Sequence, residues 1–258
     1  MKITVITVCL NKGSEIERTI KSVISQTYQN IEYWIIDGLS TDGTINILKR
    51  YKKHLNFISE KDKGIYEAMN KGIEKATGDY LLFLNAGDYF LSDYSVDILA
   101  LKNSGEDLIY GNILVREDEF EWTKLYPNLL SVDYFLKDTL PHPATLIKRL
   151  TINRIGRFNI ENTIVSDWEF FMTAVCKFKV SYKYVNATIT VFYANGISSD
   201  PKNRKVILEE KLTFLKKNFL KASTEQDFLK AHGIRSRLNP MLVSMHSFLS
   251  NIRRIWTF

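Results

Sequence analysis

A chain of 258 residues with 45% hydrophobic and 25% charged content has an ordinary globular composition, enough for one large α/β domain with or without a terminal extension. Its formal net charge of +6 is spread along the length and forms no stripe interleaved with aromatic rings, which suits anionic partners in general and argues against a nucleic-acid binder. The two cysteines, Cys9 and Cys176, sit far apart in apolar surroundings, so a disulfide framework or a four-ligand zinc site is not expected; with no leader pattern and no run near the ~18 apolar residues of a membrane span, the expected setting is a reducing cytosol.

In chain order, residues 3–10 (ITVITVCL) predict a strand, and Ser14-Glu-Ile-Glu17 reads as a capping box ahead of Ile16, Ile20, Val23 and Ile24 at helical spacing. Ile31 to Ile36 repeats the strand pattern; a turn-rich loop over 37–44 and a helix over 45–51 follow. A short strand near Phe57-Ile58 leads to a helix over 65–76, with Ile65, Met69, Ile73 and Ala76 on one face and Gly78 beyond its end. Tyr80 to Leu84 is a fourth strand, stopping at Asn85-Ala-Gly-Asp88. Strands alternating with helices predict right-handed crossovers and a ligand crevice at the carboxyl ends of the strands.

After about residue 105 the rhythm changes. Residues 107–110 and the alternating 119–125 look like strands of a mixed or antiparallel part, 166–175 looks helical and 180–185 looks like another strand. The expected fold is therefore α/β, a mixed and mainly parallel central sheet flanked by helices. We expect one domain over 1–200, with halves at 1–105 and 106–200, and a basic helical extension over 201–258. Within that extension, 240–258 sets Leu242, Met245, Phe248, Leu249, Ile252 and Trp256 at helical spacing beside Arg253 and Arg254. Such a segment suits the surface of an acidic bilayer, or docking on its own domain or on a partner in a homodimer.

Several stretches together carry a resemblance: Ile6-Thr-Val-Cys-Leu-Asn11, Ser25-Gln-Thr-Tyr28, the 35–44 loop, Asp62-Lys-Gly-Ile-Tyr66, Ala68-Met-Asn-Lys-Gly72 and Gly78 through Asp88. In order and spacing they resemble the family 2 glycosyltransferases of the GT-A (Rossmann-like) fold. The likeness is specific over about 1–90 and looser through Pro141-His-Pro143, Gly156-Arg-Phe158, Ser166-Asp-Trp-Glu169 and Asn195-Gly-Ile-Ser-Ser199. It implies inverting transfer of a sugar from a UDP- or GDP-linked donor to a glycan or polyprenyl-linked acceptor, commonly with Mn or Mg. The setting it implies is polysaccharide and cell-envelope synthesis by a cytoplasmic enzyme peripheral to the membrane.

Position by position, the resemblance implies donor contacts at Thr7, Cys9, Asn11, Asp37, Lys63, Asn70, Asn85 and Ala86. Asp37 would accept hydrogen bonds from the nucleotide's base or ribose, although many relatives have a second aspartate where this chain has Gly38. Lys63 would meet phosphate as a point charge. Asp88 falls on the acidic metal motif, but Asn85 and Gly87 stand where other members often carry aspartate, leaving one anionic ligand for a metal held weakly until the donor arrives. Asp167 falls on the catalytic base, at a helix start that favours the anion. His142, Trp168, Glu169 and Arg204 are assigned to acceptor or phosphate, with Glu169 also the fallback base.

Two other readings compete. A nucleotidyltransferase would want a glycine-rich, basic loop where residues 9–14 read Cys-Leu-Asn-Lys-Gly-Ser. A noncatalytic nucleotide-sugar or carbohydrate-binding protein is favoured by the low acidity of 85–88. For Asp37 and Asp42 the bland alternative is turn chemistry with their own backbone, and for Asp88 and Asp167 it is capping.

Overall fold

Ile3–Cys9 forms β1, and all seven residues are buried because the strand lies between two neighbours and under helices. The computed structural model describes residues 1–219; the bilayer or docking segment expected over 240–258 lies outside the described residues. Ile31–Asp37 (β2), Asn56–Ser59 (β3) and Tyr80–Phe83 (β4) join β1 in a parallel block ordered β3-β2-β1-β4. The crossovers are helices Ile16–Ile24 (α1), Thr44–Arg50 (α2) and Ile65–Lys75 (α3).

Helix α1 departs from the expected start. Ser14 caps nothing: the amides of Glu15 and Ile16 both donate to the Lys12 carbonyl, so a backbone turn satisfies the helix start. Glu17 is thereby free to accept from the Tyr51 hydroxyl at 2.6 Å and to pair with Arg50, tying α1 to α2.

Helix α3 packs tightly enough on β1 that Gly72 faces the Ile6 side chain with no room for a Cβ. Gly72→Ala raises helix propensity yet overpacks this contact. It is expected to destabilise by about 1–3 kcal/mol, read from the denaturation midpoint in urea.

Beyond β4 come Tyr89–Phe90 (β5), Ser95–Leu101 (α4), Leu108–Glu117 (β6), Phe120–Lys124 (β7), Val132–Lys137 (α5), Thr145–Lys148 (β8), Arg149–Ile155 (α6), Ser166–Met172 (α7), Tyr182–Tyr193 (β9) and Arg204–Asn218 (α8). The whole sheet runs β3-β2-β1-β4-β8-β6-β9-β5, with β7 hairpinned on β6. β8 is antiparallel to both β4 and β6 and so stitches the two halves into one sheet, as expected for the second half. The strand expected at 180–185 continues to Tyr193, through a register shift against β6 near Asn112 that interrupts its hydrophobic pattern.

Candidate active site

The parallel register decides where polar groups collect. Cys9 is level with Asp37, and Asp37 with Ser59, so three strands end together. After β4 the chain crosses the end of β1, held by Leu84 N–H to Ile6 O at 2.9 Å and Ala86 N–H to Val8 O at 3.2 Å. A cavity of about 550 Å³ opens on this floor, with Cys9 and Asn85 to Asp88 at its base, Asp62, His142 and Asp167 on its walls, and Asn195 to Ser198 at its rim.

Asp88 is only 6% exposed, and one carboxylate oxygen accepts the Tyr193 N–H at 3.2 Å. Burial pushes its carboxyl up to about 7, against the pull of that N–H, of Arg18 and of Lys12. Beside it, the buried Oδ1 of Asn85 has no hydrogen-bond partner. Two oxygens thus stand ready at the floor. Between them Gly87 has φ +109°, a conformation that strains any L side chain, and a Cβ there would push aside the end of the Glu15 side chain, so the backbone disfavours a further aspartate. Gly87→Asp is expected to lose about 1–3 kcal/mol in chemical denaturation rather than to add a ligand.

On the wall, Asp167 sits in the first turn of α7 with Oδ1 2.9 Å from the Tyr66 hydroxyl, which also donates to the Ile164 carbonyl. The His142 ring lies with Nδ1 3.1 Å from the Phe83 carbonyl. That oxygen can only accept, so Nδ1 carries a hydrogen.

Other residues assigned from the sequence stand elsewhere. Asp37 is fully buried and engaged locally by Ser40 N–H at 3.0 Å, Ser40 Oγ at 2.5 Å, Ser59 Oγ at 2.7 Å and the Cys9 thiol at 3.5 Å. Burial and the neighbouring Asp37 push the Cys9 thiol well up. Thr7 is buried against the Tyr33 hydroxyl, and Asn11, at φ +52°, accepts from Thr41 N–H. Thr7 therefore supports the floor from behind, while the exposed Asn11 ties the loop after β1 to the loop after β2. Asn70 clasps the backbone of Phe158 through both amide atoms, at 2.8 and 3.0 Å, and Lys63 is exposed outside the cavity lining.

Trp168 is 1% exposed, donating Nε1–H to the Phe135 carbonyl and stacking edge-on with Phe214, so it packs the interior instead of facing an acceptor. Glu169 points away from the cavity toward Asn159; burial raises its carboxyl. Arg204 begins α8 outside the cavity lining.

Sequence reading passed over Asp62, Tyr66, Lys12 and Tyr193. Asp62 lines the cavity and pairs with Lys71 at 2.5 Å. It stood next to Lys63 in the matching stretch, where the basic neighbour drew the assignment. Tyr66 looks like a core position of an amphipathic helix, and only the fold brings it to Asp167, 101 residues away.

Comparison with known proteins settles the family. The profile described as glycosyl transferase family 2 matches residues 4–167. The chain belongs to glycosyl transferase family 2. Among its relatives, a PGL/p-HBAD biosynthesis glycosyltransferase of Mycobacterium bovis (strain BCG / Pasteur 1173P2) is 28% identical over 198 residues, 72% of this chain and 75% of that one. An uncharacterized glycosyltransferase of Mycobacterium tuberculosis is 32% identical over 192 residues, 68% of this chain and 70% of its own. Two solved structures share the fold at 16% identity. One is S. aureus TarS 1-349 in complex with UDP-GlcNAc, TM-score 0.68, covering 96% of this chain and 77% of that one. The other is the mannosyltransferase PcManGT of Pyrobaculum calidifontis in complex with GDP-Man and Mn2+, TM-score 0.65, covering 89% and 68%. The GT-A fold read from the sequence is thereby shown.

For a family 2 glycosyltransferase the floor is poor in carboxylates. Among the described residues no group of three His, Cys, Asp or Glu side chains could hold a metal by itself. One buried carboxylate and one orphaned amide oxygen nonetheless suit a hard cation that brings most of its own oxygen ligands.

Proposed function

We propose that this glycosyltransferase moves a sugar, with inversion, from a UDP- or GDP-linked donor to a hydroxyl of a glycan or polyprenyl-linked acceptor at the cytoplasmic face of a membrane. What carries the reading is that Asp167 shares one cavity with Asn85 and Asp88 while its second carboxylate oxygen accepts no hydrogen bond among the described residues. Asp167 takes the proton of the acceptor hydroxyl as its oxygen bonds to the sugar's anomeric carbon. The bond from that carbon to the diphosphate breaks on the opposite side, and the nucleoside diphosphate leaves. With Asp37 buried and engaged by Ser40, Ser59 and Cys9, Asp62 is the carboxylate in the cavity that suits an imide donor of the base. Asp88 and Asn85 would hold Mn2+ or Mg2+, which supplies charge neutralisation for the departing diphosphate. The complexes of TarS with UDP-GlcNAc and of PcManGT with GDP-Man and Mn2+ support this donor class.

The single acidic residue of the 85–88 segment favours a second reading, a nucleotide-sugar binder without turnover. Release of UDP or GDP from a panel of UDP- and GDP-sugars, with and without Mn2+ or Mg2+, separates the two. Turnover lost in both Asp88→Ala and Asp167→Ala is expected; equal turnover in wild type and both variants would sink the assignments, and binding with no turnover would leave the binder. No helix of the described residues is long and apolar enough to cross a membrane.

A further inference from the structure

The loop that delivers Asp167 runs from Arg157 to Val165 without regular structure, and the amides of Thr163, Ile164 and Val165 find no backbone carbonyl. All three donate to one carboxylate, Glu210 of α8, at 2.6, 3.1 and 3.2 Å. Such amides must be satisfied somewhere, and charge-assisted bonds to a half-buried carboxylate are stronger than bonds to neutral acceptors. Glu210 holds this place although Glu169, itself half-buried, repels it.

The clamp reaches the site by a short route. Thr163 and Ile164 line the cavity. The Ile164 carbonyl accepts the Tyr66 hydroxyl, whose oxygen is also 2.9 Å from Asp167 Oδ1. One hydroxyl hydrogen cannot serve both acceptors fully, so the position of Ile164 governs how far Tyr66 occupies the Asp167 carboxylate. The next residue, Lys211, lies 4.9 Å over the ring of Trp168, the neighbour of Asp167 in α7. Helix α8 lies beyond the matched span of 4–167, so the family motif does not include this contact.

We propose that Glu210 is a positioning residue for sugar transfer, holding the 163–165 amides so that the turn presents Asp167 to the cavity. The proposal rests on reading Asp167 as the base. Its test compares Glu210→Ala, Glu210→Gln and Asp167→Asn in the full chain by two readouts. The first is backbone hydrogen exchange across residues 160–168 in the ligand-free protein; the second is nucleoside diphosphate release from the panel of UDP- and GDP-sugars. Glu210→Ala is expected to speed exchange there about tenfold and to lower kcat about tenfold, with the donor KM within about twofold. Glu210→Gln keeps one acceptor oxygen and is expected to recover part of both, and it serves alone if the alanine variant fails to fold. Wild-type exchange and kcat in the Glu210 variants beside an inactive Asp167→Asn would overturn the clamp and spare the base. A fully active Asp167→Asn would overturn the base assignment, and with it the route from Glu210.

Discussion

Asp167→Asn is expected to lower kcat about a thousandfold while leaving the donor KM within a few-fold of wild type, as measured by UDP or GDP release from the best donor of the panel. Removing a positioned general base typically loses 10²- to 10⁴-fold, and an asparagine at this place cannot accept the acceptor's proton. The substitution spares the surroundings. Its Oδ1 can still face the Tyr66 hydroxyl, which keeps the Ile164 carbonyl as partner, and its place in the first turn of α7 is unchanged. A loss confined to KM would mean that Asp167 binds and does not react.

Asp88→Asn should separate stability from activity. Burial disfavours the anion and pushes the Asp88 carboxyl up to about 7 in the folded chain, from an ordinary value of 3.8. The folded state therefore holds a proton that the unfolded chain releases between these values, and stability contributed by Asp88 falls as pH rises from about 4 to 7. Above pH 7 the penalty is complete. A three-unit shift corresponds to about 4 kcal/mol, and burying an amide whose two N–H groups gain no shown acceptor returns part of it, so a gain of about 2 kcal/mol is expected at pH 8. For a chain of this size that is roughly 5 °C in Tm, with little gain at pH 4. The same variant should lose metal-dependent donor binding. A stabilised protein that no longer responds to Mn2+ with donor is the pattern of a site kept at the expense of the fold.

The alternating strands and helices of the first half were legible because β1 and β4 are buried on both faces and read as continuous apolar runs, and α1 and α3 each show one apolar face. β8 escaped notice because four residues between a proline turn and a helix carry no period. α4, α5 and α6 were missed as well: at six or seven residues an apolar face barely repeats, and none of them is flanked in the element order by two legible strands as α2 is. The floor residues Asn85 and Asp88 were readable from the abrupt end of β4. Which of the polar residues in the matching stretches face ligand was not. Asp37, Asn11 and Asn70 have the chemistry of ligand contacts, but Asn11 and Asn70 bond loop backbone and Asp37 bonds Ser40, Ser59 and Cys9, and only the tertiary pairing of residues up to 88 apart reveals it. Tyr66 and Glu210 were hidden for the converse reason. Each looks like an ordinary helix residue until the fold brings it against the turn that carries Asp167.

The most direct test is the thermal midpoint of wild type, Asp88→Asn and Asp167→Asn across UDP- and GDP-sugars, with and without Mn2+, since a ligand that binds only the folded state raises it. The expected result is a donor that raises Tm in wild type and Asp167→Asn alike, more with Mn2+ than without, and that loses its Mn2+-dependent part in Asp88→Asn. No shift with any donor, or a full Mn2+-dependent shift in Asp88→Asn, would contradict a donor site on the Asn85 to Asp88 floor.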